Sequence, residues 1–238
     1  MRRAALLLLA LALAGCETTA EKSARLEKAS KLAAAKRPVA RAPSLGRAST
    51  RVRVLASTIV SGSEGAAAAI TLRNDSPRAL RGVPLAITLR DAAGHTVFQN
   101  FLPGSEGALI SVPSIPAHGE LTWVDDQLPK VHAASVDVRV GEARLVPGPL
   151  PSLAITGASI GEEPSGGLGA SGTIANHSRA AQLHLVLFAV ARRGGRVVAA
   201  GRAVLPELAA GASAPFHLFF VGDARGAQLQ LSAPPVSF

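Results

Sequence analysis

Few residues of this 238-residue chain combine a reactive type with a spacing that chemistry needs, and the only cysteine, Cys16, comes first. A lone thiol can be alkylated, but it forms no disulfide within the chain, so the folded part must be stabilised by packing alone. Gly157-Ala158-Ser159-Ile160-Gly161 sets a serine in the frame of a nucleophile elbow, a turn that must lead into a helix. Here Glu162, Glu163, Pro164 and a Ser-Gly-Gly stretch follow, a poor helix by composition. Glu207 and His217 do come later in the required order, which keeps a serine hydrolase acting through Ser159 as an alternative reading. Gly167-Leu168-Gly169-Ala170-Ser171-Gly172 matches a dinucleotide-binding pattern but precedes β-like sequence, whereas the pyrophosphate needs a helix N-terminus. It reads as a hairpin loop. The six histidines (His95, His118, His132, His177, His184, His217) show no metal-site spacing. Asp125-Asp126 and Glu162-Glu163 are adjacent carboxylates that face opposite ways in a strand, and they read as solubilising groups of loops and edges. The expectation is a body without catalytic residues, metal or cofactor. With aromatics at 3%, a sugar-stacking platform is disfavoured, and Phe98, Phe101 and Trp123 read as core rather than as a contact patch.

The surroundings of Cys16 say more. Arg2 and Arg3 precede an uninterrupted apolar run from Ala4 to Ala14, the form of a targeting signal. Eleven residues are too few to span a bilayer core, which takes about 20 helical residues. Leu13-Ala14-Gly15-Cys16 resembles the lipobox of bacterial lipoproteins. That resemblance implies recognition of Leu13, Ala14 and Gly15 by a signal peptidase, cleavage before Cys16, and a diacylglycerol thioether on Cys16 that holds the protein on the outer side of a membrane. Two or more acyl chains anchor durably, at about 0.8 kcal/mol per buried methylene. Glu17 follows the cysteine, where an Asp would favour inner-membrane retention in proteobacterial lipoproteins. The resemblance therefore points to the cell envelope, at an outer membrane in periplasmic orientation or on the cell surface.

The formal charge of +9 invites a nucleic-acid reading until its position is checked. Residues 17–53 hold ten Lys or Arg against Glu17, Glu21 and Glu27, while residues 54–238 hold thirteen basic and thirteen acidic side chains. A nucleic-acid module would carry its charge on the fold itself, so that class is excluded. Residues 21–36 have helix-favouring composition, and Pro38, Pro43 and Gly46 then interrupt any regular element. This basic tether reads equally as adhesion to anionic lipid or wall polymer and as a solvated spacer.

The elements that follow look duplicated. Ile70-Thr71-Leu72-Arg73-Asn74-Asp75-Ser76 corresponds to Gly172-Thr173-Ile174-Ala175-Asn176-His177-Ser178 at a spacing of 102 residues. Leu89-Arg90-Asp91-Ala92-Ala93-Gly94 corresponds to Val190-Ala191-Arg192-Arg193-Gly194-Gly195, and Ile115-Pro116-Ala117-His118-Gly119 to Leu208-Ala209-Ala210-Gly211. Alternation in Arg51–Leu55, Ser135–Val140 and Gln228–Ser232 marks strands with one face inward. The more continuously apolar run Leu183–Ala191 suits a strand covered on both sides. Asn74 and Asn176, at strand ends, suit Asx turns. The expected fold is all-β: two tandem antiparallel immunoglobulin-like sandwiches of about seven strands each. The expected boundaries are 1–15 signal peptide, 16–50 lipidated tether, 51–147 first sandwich and 151–238 second sandwich.

The Asn turn, the Leu-x-Asp-x-x-Gly hairpin and the closing Pro or Leu before Gly resemble the FxLYD-like domains of bacterial envelope lipoproteins. The signature falls on Ile87-Thr88-Leu89-Arg90-Asp91 and Phe188-Ala189-Val190-Ala191-Arg192, each copy keeping part of it, and the chain has no Tyr. An adhesion-type sandwich family fits nearly as well. Either resemblance implies immunoglobulin-like sandwiches without an established catalytic activity. The functional expectation is a non-enzymatic binding or scaffold lipoprotein, with an unidentified partner that an exposed sheet edge could accept. The alternative is a structural spacer.

Overall fold

The computed structural model describes residues 44–63, 65–130, 133–163 and 166–238. Cys16, its lipobox and the tether up to residue 43 lie outside them. The described residues belong to one compact unit. They form fifteen strands and one four-residue helix, so the fold is all-β as expected.

Every strand pairing is antiparallel and stays within its own half of the chain. In the first half, β1 (Val52–Ser61), β2 (Ala66–Asn74) and β6 (Glu120–Leu128) make one sheet in the order β1-β2-β6. The facing sheet is centred on β3 (Leu80–Arg90), flanked by β4 (Thr96–Gln99), β5 (Ser111–Ile115), β7 (Ser135–Val140) and β8 (Arg144–Leu145). In the second half, β9 (Leu153–Glu162), β10 (Leu168–Asn176) and β13 (Ser213–Phe219) run in the order β13-β10-β9. Against them lies the sheet β14-β12-β11-β15, of β14 (Val221–Gly222), β12 (Arg196–Leu208), β11 (Gln182–Arg193) and β15 (Gln228–Ser232).

The duplication is visible in side-chain chemistry. Asn74 is fully buried; its amide donates to the carbonyls of Arg78 (2.8 Å), Pro116 (2.9 Å) and Ile115 (3.4 Å), and its Oδ1 accepts from Ser76 N and Oγ. Asn176 repeats this with Ala180 (2.9 Å), Leu208 and Ala209 (both 3.1 Å), and Ser178. Each Asn thus closes an Asx turn and also locks it to the loop before a later strand, β6 in the first copy and β13 in the second, satisfying carbonyls that would otherwise be buried without donors. Backbone strain is duplicated too. Gly82 (φ 57°) and His184 (φ 51°) occupy equivalent places in β3 and β11, and His118 (φ 51°) and Gly211 (φ 71°) occupy equivalent turns. Each left-handed site is filled by glycine in one copy and by histidine in the other.

The copies differ at one point. Where the second has the unbroken 13-residue β12, the first has β4, then a loop with the short helix α1 (Gly107–Ile110), then β5. Buried Asn100 pins this insertion: its Oδ1 accepts from Ile87 N (2.7 Å) and its amide donates to the carbonyls of Leu85 (3.0 Å) and Leu109 (2.6 Å).

The inner sheets are covered on both faces. β2 is buried at every position from Ala66 to Ile70, and β11 at every position from Leu185 to Ala191. In a strand, neighbours point to opposite faces, so such runs require packing above and below. Ile70 and Leu72, opposite Trp123 and Leu121, face the interior of the first sandwich, where Trp123 Nε1 donates to the Ala108 carbonyl (3.0 Å). The opposite face of the sheet carries Ala67, Ala69 and Val124. The first-sandwich core is continuous with Val186, Phe188 and Val190 of β11 and Ala200 of β12. The intervening β11 residues Leu185 and Leu187 pack with Ile174 and Phe216 of their own sandwich. Four sheets are therefore stacked, and small side chains let the middle two approach. A side chain at Gly222 would collide with Val60 of β1 and with the Val198 carbonyl.

Asn176→Ala should lower stability by about 3 kcal/mol, because it strips buried carbonyls of their donor at roughly 1–3 kcal/mol each. His118→Gly should raise it by about 1 kcal/mol, by removing a side chain from a left-handed site. Urea midpoints with unchanged slopes would show both; a neutral Asn176→Ala would contradict the locking role.

Candidate functional site

One charge lies where the two sandwiches meet. Arg202 projects from β12 toward the first sandwich with its side chain 4% exposed. Its backbone N–H donates to Asp126 Oδ2 (3.0 Å), Nε to Asp126 Oδ1 (2.9 Å), and Nη2 to Glu106 Oε2 (3.3 Å). Burial disfavours the guanidinium charge, but Glu106 and Asp126 outweigh it and hold its pKa above the usual arginine range. Nη1 is buried without a partner. The adjacent Asp125 points the other way, into the first sandwich near Asn100, and accepts the Gln127 N–H (3.0 Å). Burial pushes its carboxyl up to about 6, although Gln127 and Arg202 oppose the shift.

Beside this clamp, a cleft of about 740 Å³ opens between the sandwiches. β3 contributes Arg81 and Pro84, the segment around β8 contributes Arg144, and β11 and β12 contribute Leu183, His184 and Val204. Residues 233–238 form a strap that borders it. Ser114 of β5 donates to the Pro235 carbonyl (2.9 Å), and Gln182 of β11 accepts from Val236 N (2.8 Å) and Ser237 N (3.1 Å). The strap is thus tied to both sandwiches, and it sets the Phe238 ring 5.9 Å from the Arg81 guanidinium. Leu183, Val204 and Phe238 are 54%, 42% and 46% exposed. Large apolar side chains gathered at one concave surface are a feature of ligand sites, which enclose roughly 300–1,000 Å³.

The residues singled out in the sequence are distributed as follows. Cys16 and Leu13–Gly15 lie outside the described residues. Ser159 is exposed within β9, with no elbow and no helix after it. It pairs with Ser171, which pairs with His217, so Ser159 and His217 are two strands apart, about 10 Å. Glu207 lies on β12, in the other sheet. His217 Nε2 instead meets Glu163 Oε1 at 2.6 Å. Gly166 and Gly167, both with positive φ, lie in the β9–β10 turn, but residues 168–172, expected as a hairpin loop, are in β10, where Gly169 and Gly172 leave room for the Leu218 carbonyl and the Phe216 ring. Among the described residues no His, Cys, Asp and Glu cluster could hold a metal. The Asp125-Asp126 pair is not merely solubilising: Asp125 is buried and Asp126 joins the clamp, because β6, although an edge strand, is covered on both faces. Arg202 was not anticipated. Its signal is a lone arginine within the apolar run Val197–Leu205, matched by two aspartates ending the apolar run of β6.

No protein-family model matches the chain, and no curated protein matches it. Among solved structures it is similar to a red sea bream transglutaminase, at 14% identity and a TM-score of 0.24, over 92% of this chain and 32% of that one. The chain thus spans about a third of that protein's length. A likeness of this size carries no argument about activity.

The Asp125 pKa has a measurable consequence. A folded-state value above that of an unfolded Asp means the fold prefers the neutral acid. The resulting stability is complete below about pH 4 and is lost as the pH rises through 6, amounting to about 3 kcal/mol. Asp125→Asn should keep the Gln127 bond and remove this loss, giving a more stable protein at pH 7. Urea unfolding between pH 4 and 8 tests it, and an identical pH profile in the variant would refute it.

Proposed function

We propose that the chain is a lipid-anchored lipoprotein of the bacterial cell envelope that acts by binding rather than by catalysis, and that the cleft between its sandwiches is where it binds. The anchor rests on the apolar run Ala4–Ala14 followed by Leu13-Ala14-Gly15-Cys16, and the envelope location on the lipid that this motif implies. The FxLYD-like resemblance supports a non-catalytic sandwich, as does the separation of Ser159 from His217. The basic tether, residues 16–50, adds attraction to an anionic surface next to the anchor.

The observation that carries the binding reading is the cleft itself, where Leu183, Val204 and Phe238 face solvent at a junction closed beneath by Arg202. It is favoured over strand addition at the β9 edge. That edge is bulged where Gly157, at φ 62°, and Ala158 oppose Gly172, and a bulge turns an edge away from pairing.

Intact mass of the protein purified from native membranes, beside Cys16→Ala, tests the anchor. The expected product begins at Cys16, carries the added mass of diacylglycerol, and is found in the membrane fraction; the variant lacks the lipid and is released. An unlipidated chain in the soluble fraction would overturn the reading.

A further inference from the structure

The walls of the cleft differ in kind. On one side, Arg81 of β3 and Arg144 of β8 are register partners in the ladder, both exposed, and neither forms an ion pair among the described residues. Like charges directly opposite on adjacent strands repel, so this placement is unfavourable without an anion between them. Of the two acids lining the cleft, Glu106 is already committed to Arg202. That leaves the two arginines against Glu142, one net positive charge. On the other side stand the exposed apolar side chains Leu183 and Val204, with Phe238 of the strap between the walls, its ring against Arg81. A guanidinium pair next to an apolar wall matches a ligand with an oxyanion head and a hydrocarbon tail.

The backbone of His184 is left-handed where the equivalent place in the first copy holds Gly82. The same exchange puts His118, which does not line the cleft, in a left-handed turn, so the backbone alone assigns no role; what sets His184 apart is that it lines the cleft beside Leu183.

We infer that the cleft binds an anionic amphiphile, a carboxylate or phosphate on an unbranched alkyl chain, with its head at Arg81, Arg144 and His184 and its tail against Leu183, Val204 and Phe238. The inference rests on the cleft being the binding site. Two consequences are specific to it. Affinity follows tail length, at about fourfold per methylene buried. It also follows the sign of the head.

The test is calorimetric titration of the full chain carrying Cys16→Ser, with probes below their micellar concentrations. Decanoate and decyl phosphate should bind one to one, the stronger of them identifying the head group. Octanoate, two methylenes shorter, should bind about fifteenfold more weakly than decanoate, and decyltrimethylammonium at least tenfold more weakly. Arg144→Gln should weaken decanoate at least tenfold. His184→Gly should weaken it while raising the unfolding midpoint, whereas His118→Gly should raise the midpoint and leave affinity unchanged. Equal affinity for the cationic and anionic probes, or binding indifferent to Arg144→Gln and His184→Gly, would overturn the inference. A photo-crosslinker at Val204 in native membranes separates the two readings. Adducts to an envelope protein without any amphiphile binding would overturn the ligand class but leave the binding reading standing; neither adduct nor amphiphile would overturn both.

Discussion

The structure depends on two sheets being buried on both faces. A sandwich ordinarily leaves the outer faces of its sheets in water, yet β2 and β11 have no solvent side over most of their length. The alanines of β2 make this workable. At Ala67 and Ala69 the sheet surface is nearly flat, so Phe188, with Val186 and Val190, can be buried in a core continuous with that of the first sandwich. A larger residue at either alanine would hold the middle sheets apart and weaken contacts along the whole junction.

Polar groups then fix what apolar packing leaves undirected. Hydrophobic contact between two sheets does not select one orientation, whereas Arg202 must reach Asp126 and Glu106 together. Without Asp126 the buried Arg202 guanidinium would keep only the half-exposed Glu106, so the set acts as a register device more than as a source of stability. The two asparagines do the same within each sandwich, by tying the end of one strand to the loop that begins a later one. The cleft follows from these constraints. It lies between β3, β5 and β8 on one side and β11 and β12 on the other, and the strap at residues 233–238 bridges them through Ser114 and Gln182.

The repeat was legible because its signals are local. Asn74 and Asn176 head the same turn 102 residues apart, and the β3–β4 and β11–β12 hairpins both turn on glycine, although their loops differ in length. Alternation marked the outer strands, and the unbroken run in β11 marked a strand with two covered faces. What covers the second face is a long-range fact. Nothing in Ala66–Ala69 names β11 and β12 as neighbours, and four alanines alone suit a helix as well as a strand. The insertion at Asn100–Ile110 was hidden because it changes the spacing between copies without changing the order of strands. The cleft was hidden for the same reason as the clamp. Arg81, Arg144, His184 and Val204 lie far apart along the chain, and only the stacking of sheets brings them to one surface. The proposal for Cys16 draws on the fifteen residues before it and on nothing in the fold.

The central claim is that two sandwiches share one core and hold their cleft rigidly between them. Trp123 is the only tryptophan, the chain has no tyrosine, and Trp123 sits in the first sandwich, so its fluorescence follows that half alone. Far-ultraviolet circular dichroism follows both. Urea unfolding of the mature chain, monitored by both signals, should give coincident single transitions. A circular-dichroism curve that resolves into two steps, with Trp123 following only one, would show sandwiches that unfold independently and would contradict the account.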